Sequence, residues 1–341
     1  MVVESSKIKA IVVKIFKLSI YIMFRYFTLF IVLTVIGYLY EKYKLKYVPD
    51  EELEKYDLVR KFLLNGGSGM GSKPILWIHS SHPVNHRYWQ SFGSRNTRLL
   101  NQPYKISCVE TIVKHCSNSF NIVLIDDNSF EKLIKGWNID MNKIGNPVKA
   151  KVRMLALAKL LRDFGGLLVP NSTIVCRDLK PIYDSALTSK KAFSVNMVNH
   201  GVTADEASMF PTTKILGCKK NSEVMSEYCN YLENLISVDY TDESDFLGQA
   251  NRWLFKQHLD LKLNIICGKI FGVEDRDGRI VNIERLMGNT YIKFSPNMHA
   301  IYLPGDEILK RTRYQWFARL SQEQLRTCDT IAARQLLVAQ G

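Results

Sequence analysis

The chain of 341 residues contains 46 Lys and Arg against 33 Asp and Glu, which gives a formal net charge of +13, and 46% of its residues are hydrophobic. No internal repeat, heptad array or low-complexity tract is present, so solenoid, coiled-coil and repeat-array architectures are excluded. The length predicts one membrane-tethered domain of about 270 residues, and the basic balance favours acidic partners such as lipid headgroups, nucleic acid or phosphorylated sugars.

Residues 18–40 form an apolar stretch of 23 residues with a single charge, Arg25. At 1.5 Å per residue this length crosses a hydrocarbon core of about 30 Å, and Arg25 lies near enough to one end to reach the headgroups. A cleaved signal peptide would have a shorter apolar core and a small-residue cleavage site, and neither is evident. A basic helix lying on the membrane surface is the other alternative. We expect one transmembrane helix at 18–40, a lipid membrane as partner, and a basic tail at 1–17 whose charges weakly favour the cytosol.

Residues 41–72 are expected to connect this anchor to the folded domain. The segment 50–64 has the spacing of a stalk helix, and the Gly-rich run NGGSGMGSK at 65–73 then breaks it. The run superficially resembles a phosphate-binding loop, but it lacks the Gly-Lys-Ser/Thr ending and precedes its strand instead of following one. A flexible linker is the favoured interpretation, which places the globular domain at 73–341.

The first predicted strand, 75–78, ends in a polar loop with three histidines, His79, His82 and His86. This spacing raises the possibility of a metal site. However, His82 precedes a proline that breaks any helix, and no acidic residue is adjacent. The cysteines add no ligands, because the seven of them are irregularly spaced and form neither a CxxC pair nor a Cys/His cluster. The favoured interpretation is a polar loop, with the cysteines as free thiols of a reducing compartment.

A helix over 104–116 and a buried parallel strand over 121–125 come next, because apolar residues repeat at helical spacing in the first and run almost unbroken in the second. The strand is followed by Asp126 and Asp127. Ligands of open α/β sheets bind beyond the carboxyl ends of strands, so both carboxylates are candidates for holding a ribose or a base. The favoured alternative is that Asp127 or Asn128 caps the helix SFEKLIKGW.

Lys149, Lys151 and Arg153 open a long helix predicted over 148–163. Lys151 and Arg153 are candidates for contact with a diphosphate without a metal ion. A solvated charged face is the commoner arrangement of such residues and is the favoured interpretation.

Beyond this helix the remaining elements are predicted from shorter patterns. Strands are predicted at 167–169, 173–176, 192–197 and 215–217, and helices at 222–235 and 246–258. The tail at 305–341 is helical and basic. Its arginines and aromatic residues could form a nucleic-acid patch, but its apolar spacing indicates helices packed on the domain, so no specific nucleic acid is expected.

The stretch 150–172, AKVRMLALAKLLRDFGGLLVPNS, is the most informative part of the chain: an amphipathic helix leads through an aromatic residue to Gly165-Gly166 and an apolar strand. It resembles the central motif of the sugar transferases with a DXD signature, including those of capsular polysaccharide synthesis. In that family the two aspartates hold a divalent cation that bridges the nucleotide diphosphate. The resemblance covers residues 73–182 and implies an α/β fold, a Rossmann-like sheet with helices on both faces, as in glycosyltransferases of the A type.

The residues that would carry the family's chemistry are replaced. Aligned on the Gly pair, the DXD positions hold Pro170 and Ser172, and the helix positions of an Asp and an Arg hold Met154 and Leu157. A hard cation beside a pyrophosphate needs oxygen ligands, best carboxylates, and Pro170 offers none. We therefore predict no metal site, no catalytic residue and no cofactor. A nucleotide sugar with a divalent cation is expected only if the chain is an active transferase.

The resemblance also implies where a nucleotide would lie. In the family the first strand leads into a Trp-containing loop near the base, which points to Trp77 and His79, although aromatic residues also commonly cover the edge of a sheet. Gly165 and Gly166 belong to the same set, but a Gly pair between a helix and a buried strand is expected to serve the backbone. The candidate cofactor-binding residues are Trp77, His79, Asp126, Asp127, Lys151, Arg153, Gly165 and Gly166.

The segments LNQPY and FNIVLIDDNSFEKLI are similar to membrane-anchored homologues encoded by large nucleocytoplasmic DNA viruses, which tend to share the loss of DXD. This resemblance implies a viral inner membrane or host endomembrane as location, and capsid or other membrane proteins as partners. The favoured function is a catalytically inactive, glycosyltransferase-like scaffold that acts as a structural or interaction protein of a virion. The alternative is a divergent glycosyltransferase that moves a sugar from a nucleotide sugar to a glycan acceptor, with Lys or Arg replacing the metal. Fold alone does not decide between them.

Overall fold

The structure is a computed structural model that describes residues 73–80, 102–187, 192–199, 208–238 and 243–341, all of which belong to one compact unit. The predicted tail, transmembrane helix and stalk lie outside the described residues, as do His82 and His86. Within the described ranges, no helix combines the length and the hydrophobicity that crossing a bilayer requires.

Eight strands form one large and one small sheet. Their bounds are β1 Ile75–His79, β2 Asn121–Ile125, β3 Gly166–Pro170, β4 Thr173–Val175, β5 Ala192–Val198, β6 Met209–Cys218, β7 Asn264–Ile266 and β8 Ala300–Tyr302. The large sheet has the order β2-β1-β3-β6-β5-β7, and β4 pairs with β8 in the small one. Strand β1 is parallel to β2 and β3, whereas β6 is antiparallel to β3 and β5. The sheet is therefore mixed, with a parallel core of three strands.

Eleven α-helices occur in the described residues. Their bounds are α1 Pro103–Cys116, α2 Ser129–Leu133, α3 Val148–Phe164, α4 Lys180–Leu187, α5 Glu223–Ser237, α6 Glu243–Leu259, α7 Ile283–Met287, α8 Gly305–Lys310, α9 Gln315–Ala318, α10 Gln322–Thr327 and α11 Ile331–Gln340. Two 3₁₀ turns at Gly268–Phe271 and Thr312–Tyr314 complete the described elements.

Helices cover both faces of the large sheet, as the predicted fold requires. Successive side chains of a strand point to opposite faces. In β1, Ile75 and Trp77 enter the core that α2, α3, α5 and α6 cover, and Leu76 and Ile78 enter the core that α1 and α4 cover. Both faces of β1 are thus buried, which explains its unbroken apolar run. A third core joins the small sheet to the C-terminal helices.

The strand order creates a ligand-binding position beside β1. The chain passes from β1 to β2 on one side and then crosses back to β3 on the other, so the order reverses between β1 and β3. In open α/β sheets, ligands bind beyond the carboxyl ends of the strands at such a reversal. The residues at those ends are His79 and Pro170, which are direct partners in the register of β1 and β3.

Most predicted elements are confirmed within three residues at either end, with two clear exceptions. Strand β6 spans Met209–Cys218, far longer than the predicted 215–217, because its first half pairs with the end of β5 beyond the short apolar run. Helix α2 ends at Leu133 instead of continuing to Trp137, since the chain turns extended at Ile134.

The Gly pair between α3 and β3 is held by backbone packing. Gly165 and Gly166 have φ angles of +69° and +108°, which residues with a Cβ rarely adopt. A Cβ at Gly166 would lie 2.2 Å from the carbonyl oxygen of Ile75, and one at Gly165 would lie 2.5 Å from the amide nitrogen of Lys220. The indole nitrogen of Trp77 donates to the carbonyl of Gly165 over 2.9 Å. These contacts give both glycines an architectural role that requires no ligand.

Candidate ligand cleft

A cleft of about 1070 Å³ opens at the carboxyl end of β1 and β3, and we call it the cleft. Its walls include helix α3, the ends of β3 and β5, the middle of β6, the segment 280–284 and helix α8. Its volume lies at the upper end of the range of small-molecule sites. The cleft therefore occupies the position that the strand order predicts for a ligand.

Of the four positions compared with the DXD motif and its helix in the sequence, three line the cleft. Met154 and Leu157 project from α3 into it, and Pro170 lies at its edge beside His79. None of these three side chains carries an oxygen atom that could ligate a cation. Where the family has polar groups, the wall of this cleft is apolar.

The fourth position, Ser172, is buried and fully engaged in holding the small sheet. Its hydroxyl donates to the carbonyl of Leu303 over 2.7 Å, and its own carbonyl accepts from the amide of Leu303 over 3.0 Å. Ser172 is also packed against Gly305, because a Cβ added to Gly305 would lie 3.4 Å from the Cβ of Ser172. Ser172 is not among the residues that line the cleft.

The residues present do not fit the divalent cation that the family uses. In the described part of the chain, no group of three or more His, Cys, Asp or Glu side chains comes close enough to hold a metal ion. The carboxylates that line the cleft, Glu284, Asp306 and Glu307, are each paired with a basic side chain instead.

Asp127 is the centre of a buried ionic network at the strand end of the cleft. Arg153 donates from Nε and a terminal nitrogen to the two carboxylate oxygens of Asp127, over 2.7 and 2.6 Å, and His79 Nε2 donates over 3.0 Å. Lys149 lies 3.5 Å from the same carboxylate. The His79 ring stacks on Phe130 with 5.6 Å between the ring centres. We call His79, Asp127, Lys149 and Arg153 the strand-end cluster.

Burial and hydrogen bonding set the charges of this cluster. Burial alone would raise the pKa of Asp127, but the hydrogen bonds from Arg153 and His79 outweigh it and hold that pKa well below its ordinary value. Burial lowers the pKa of His79, and the hydrogen bond to Asp127 only partly opposes this. The cluster thus contains an ionised Asp127 and a neutral His79 near pH 7.

Asp126, the other candidate carboxylate of this loop, caps helix α2. Its side chain accepts from the amide and the hydroxyl of Ser129, over 2.9 and 2.6 Å. The prediction that Asp127 or Asn128 caps this helix was wrong, because the Asp127 carboxylate turns towards α3 and the Asn128 side chain bonds Asn142. A cap at this loop was correctly expected, but the sequence did not identify which residue forms it.

Only two of the eight candidate cofactor-binding residues line the cleft. These are His79 and Arg153, which the structure brings together through Asp127. Trp77 is fully buried against Phe164, and Lys151 is buried on α3 away from the cleft lining. Asp126, Asp127, Gly165 and Gly166 are likewise absent from the lining. Contact of these residues with a nucleotide stays a prediction.

The opposite side of the cleft contains charged residues that sequence reasoning missed. Lys214 of β6 donates to the hydroxyl of Tyr302 over 3.0 Å and to the carboxylate of Asp306 over 3.1 Å. Lys214 lies about ninety residues before Tyr302 and Asp306 in the chain, so no local sequence pattern indicates these contacts. The extension of β6 beyond β3 is what carries Lys214 to the cleft.

A second pairing lies on the same side. Arg311 bridges Glu284 over 2.5 Å and Glu307 over 2.8 Å. The spacing of Glu307 and Arg311 by four residues is a readable helical pair, but nothing in the sequence indicates the contact with Glu284. We call the pairs Arg311–Glu284, Arg311–Glu307 and Lys214–Asp306 the rim pairs.

The lining combines apolar side chains with charged side chains that are mostly paired. Arg153, Lys214 and Arg311 are each bound to at least one carboxylate, so these cations carry little uncompensated charge into the cleft. An arrangement of this kind can enclose an apolar group and hydrogen-bond a polar one. It lacks the concentrated positive charge that would replace a metal ion at a pyrophosphate.

No family model matches the chain, and no curated protein matches its sequence. The chain does resemble solved glycosyltransferase structures. The apo structure of the bifunctional glycosyltransferase WbbM matches with 12% identity and a TM-score of 0.40, covering 70% of this chain and 47% of that one. A glycosyltransferase involved in the glycosylation of the major capsid of PBCV-1 matches with 9% identity and a TM-score of 0.33, covering 59% and 86%. GlyE of Streptococcus pneumoniae TIGR4 matches with 10% identity and a TM-score of 0.37, covering 79% and 60%.

These likenesses are distant. The chain spans about half the length of WbbM, and every one of the three TM-scores is below 0.5. They therefore carry no argument about activity, substrate or partner. The interpretation of the cleft depends on its own residues.

Proposed function

We propose that this protein is a glycosyltransferase-like scaffold that does not perform metal-dependent sugar transfer and acts as a structural or interaction protein at a membrane. The observation that carries the proposal is the state of Ser172, whose hydroxyl is buried and bonded to the carbonyl of Leu303. The side chain at the other DXD position, Pro170, has no ligand atom. A divalent cation would find no carboxylate at either position.

The ionic pairing of the lining supports the same conclusion. A nucleotide diphosphate brings at least two negative charges into a site and needs cations or a metal to balance them. Arg153 could turn to a diphosphate only by leaving Asp127, whose side chain is 6% exposed. Arg153 supplies two of the hydrogen bonds to this buried carboxylate, and their loss is costly even though His79 and Lys149 remain, so this exchange is unfavourable.

The proposal is tested by calorimetry of the full chain with UDP-sugars and GDP-sugars, with and without Mn²⁺. We expect no metal-dependent heat of binding, and no change when Ser172 is replaced by Ala. Metal-dependent binding at micromolar concentration would show that other residues hold the cation, and the proposal would then be abandoned.

The remaining parts of the proposal concern location and partners. We propose that residues 18–40 anchor the chain, and that its partners are a lipid membrane and capsid or other membrane proteins of a virus. The net charge of +13 supports an acidic surface as one of them. Carbonate extraction of membranes that contain the full chain should leave it in the pellet. Its release into the supernatant would contradict the anchor.

A cation-independent glycosyltransferase is the second candidate, and the retained cleft of about 1070 Å³ is the observation that favours it. This candidate predicts sugar transfer from a nucleotide sugar in the presence of EDTA. It also predicts that Arg153→Ala abolishes transfer, because Arg153 lines the cleft and contacts Asp127 beyond the end of β2. The scaffold proposal predicts no sugar transfer by the parent protein or by the Arg153→Ala variant.

A further inference from the structure

The floor of the cleft is built from apolar side chains of several elements that are distant in sequence. The side chains that form it include Met154, Leu157, Leu168, Val198, Leu216 and Ile280. Water molecules in such a space find few hydrogen-bond partners, so an apolar ligand that displaces them gains free energy. The floor therefore favours a hydrocarbon group over a sugar or a phosphate.

The rim pairs show what kind of headgroup would suit the same ligand. Lys214 and Asp306 have 46% and 73% of their side chains exposed, so their pairing contributes little and opens readily. Arg311 and Glu284 are also almost half exposed. Together the rim pairs offer both positive and negative groups within one side of the cleft.

A headgroup with a single sign of charge fits this rim poorly. A phosphate monoester would meet Glu284, Asp306 and Glu307 as well as the cations, and a simple ammonium would meet the reverse problem. A headgroup that carries both charges can pair each of them with an opposite group on the rim. Charge complementarity therefore selects a zwitterionic ligand.

We propose that the cleft binds an amphiphile with one apolar chain and a zwitterionic headgroup, the chain lying over Leu157 and Leu168 and the headgroup at the rim pairs. The proposal rests on the proposed function, since it gives the scaffold a ligand in place of a nucleotide sugar. Such amphiphiles occur as single-chain lipids in a bilayer and as free molecules in solution.

The test uses the full chain in membranes and a lysophosphatidylcholine that carries a photoactivatable group in its acyl chain. After illumination, crosslinked peptides are mapped by mass spectrometry. We expect saturable labelling of peptides from α3 and β3, and competition by unlabelled lysophosphatidylcholine. A fatty acid of the same chain length should compete about tenfold less well, because it lacks the positive charge. Equal competition by the fatty acid would overturn the headgroup assignment.

Two substitutions in the cleft lining and one control outside it test where the ligand binds. Leu157→Lys puts a charged amine on the apolar floor, and labelling of the cleft peptides should fall about tenfold or more. Leu259→Lys is the matched control, because Leu259 is an exposed leucine outside the cleft lining and its replacement should leave labelling unchanged. Val198→Lys repeats the test from β5, so that misfolding of one variant, checked by its melting temperature, does not decide the result.

The outcomes separate this inference from the proposed function. Labelling confined to residues 18–40, or labelling that Leu157→Lys and Val198→Lys leave intact, would overturn the lipid site alone. Metal-dependent nucleotide-sugar binding by a chain that also fails to crosslink in the cleft would overturn both. Crosslinks that appear on all exposed faces of the protein and do not saturate would likewise count against the site. Labelling by probe added from solution, compared with labelling by probe supplied within the bilayer, distinguishes the two sources of the amphiphile.

Discussion

The two sides of the cleft use the same kinds of ion pair in opposite surroundings. In the strand-end cluster, Asp127 is 6% exposed and binds Arg153, His79 and Lys149 together. Among the rim pairs, Asp306 is 73% exposed and binds Lys214. Desolvation makes a buried carboxylate depend on its partners, whereas an exposed one is satisfied by water when the partner leaves. One side of the cleft is therefore fixed and the other is free to rearrange around a ligand.

Removing Asp127 should have the largest effect. In Asp127→Ala, Arg153, His79 and Lys149 lose their shared acceptor, and we expect a loss of about 3 kcal/mol in the free energy of unfolding. The measurement is denaturant unfolding followed by tryptophan fluorescence. Asp306→Ala is the matched variant on the other side and should cost less than about 1 kcal/mol. Equal losses in the two variants would remove the distinction between fixed and free sides.

Ser172 is bonded to Leu303 beside the rim side and allows a test of whether a carboxylate can be accommodated at this position. Ser172→Asp would bury a charge against the carbonyl of Leu303, and we expect a loss of at least about 2 kcal/mol. Ser172→Ala removes one hydrogen bond and should cost about 1 kcal/mol. If Ser172→Asp were as stable as the parent protein and bound Mn²⁺, the small sheet would have to tolerate a metal site after all.

The strand-end cluster should also make stability depend on pH. His79 has a folded pKa below its ordinary value of 6.5, so the unfolded chain binds the proton first as the pH falls. The stability due to His79 is thus present above about pH 6.5 and is lost as the pH falls below it. Asp127 has the same sign, and its contribution is lost below about pH 4. Melting temperatures between pH 7 and pH 5 should fall for the parent protein and fall less for His79→Gln. A melting temperature that rises on acidification would contradict the neutral state of His79.

The rim pairs should produce the smallest effect. Arg311→Ala removes contacts to Glu284 and Glu307, but the charges are exposed and we expect less than about 1 kcal/mol. The difference from the parent protein should shrink further between about 0.1 M and 1 M NaCl, because salt screens exposed charges. A large effect that persists at high salt would mean that α8 is fixed in the same way as the strand-end cluster.

Six of the eight strands were predicted because their patterns are local, whereas the short strands β7 and β8 were not predicted. Strand β2 is a continuous apolar run with a clear end, and its observed bounds match the predicted ones. Helix α3 and its Gly stop are equally local. The early half of β6 was missed because it contains Pro211, two threonines and Lys214, and its strand state depends on pairing with β5.

The candidate site was only partly predictable, since its contacts join distant segments. His79 and Arg153 were named separately, but their common partner could be identified only from the packing of α3 beside β1. Lys214 with Asp306, and Arg311 with Glu284, connect segments that share no local pattern. That Pro170 and Ser172 carry no carboxylate, in contrast, could be read at once from the sequence.

The glycines between α3 and β3 have a consequence for how such proteins are recognised. A Cβ at Gly166 would overlap the carbonyl oxygen of Ile75, and the oxygen of Gly165 accepts the indole of Trp77. Folding alone is therefore enough to require both glycines, whatever side chains stand at the neighbouring positions. A sequence pattern centred on Gly-Gly thus reports how a helix is joined to a buried strand, whereas the chemistry of the cleft must be read from the side chains that line it.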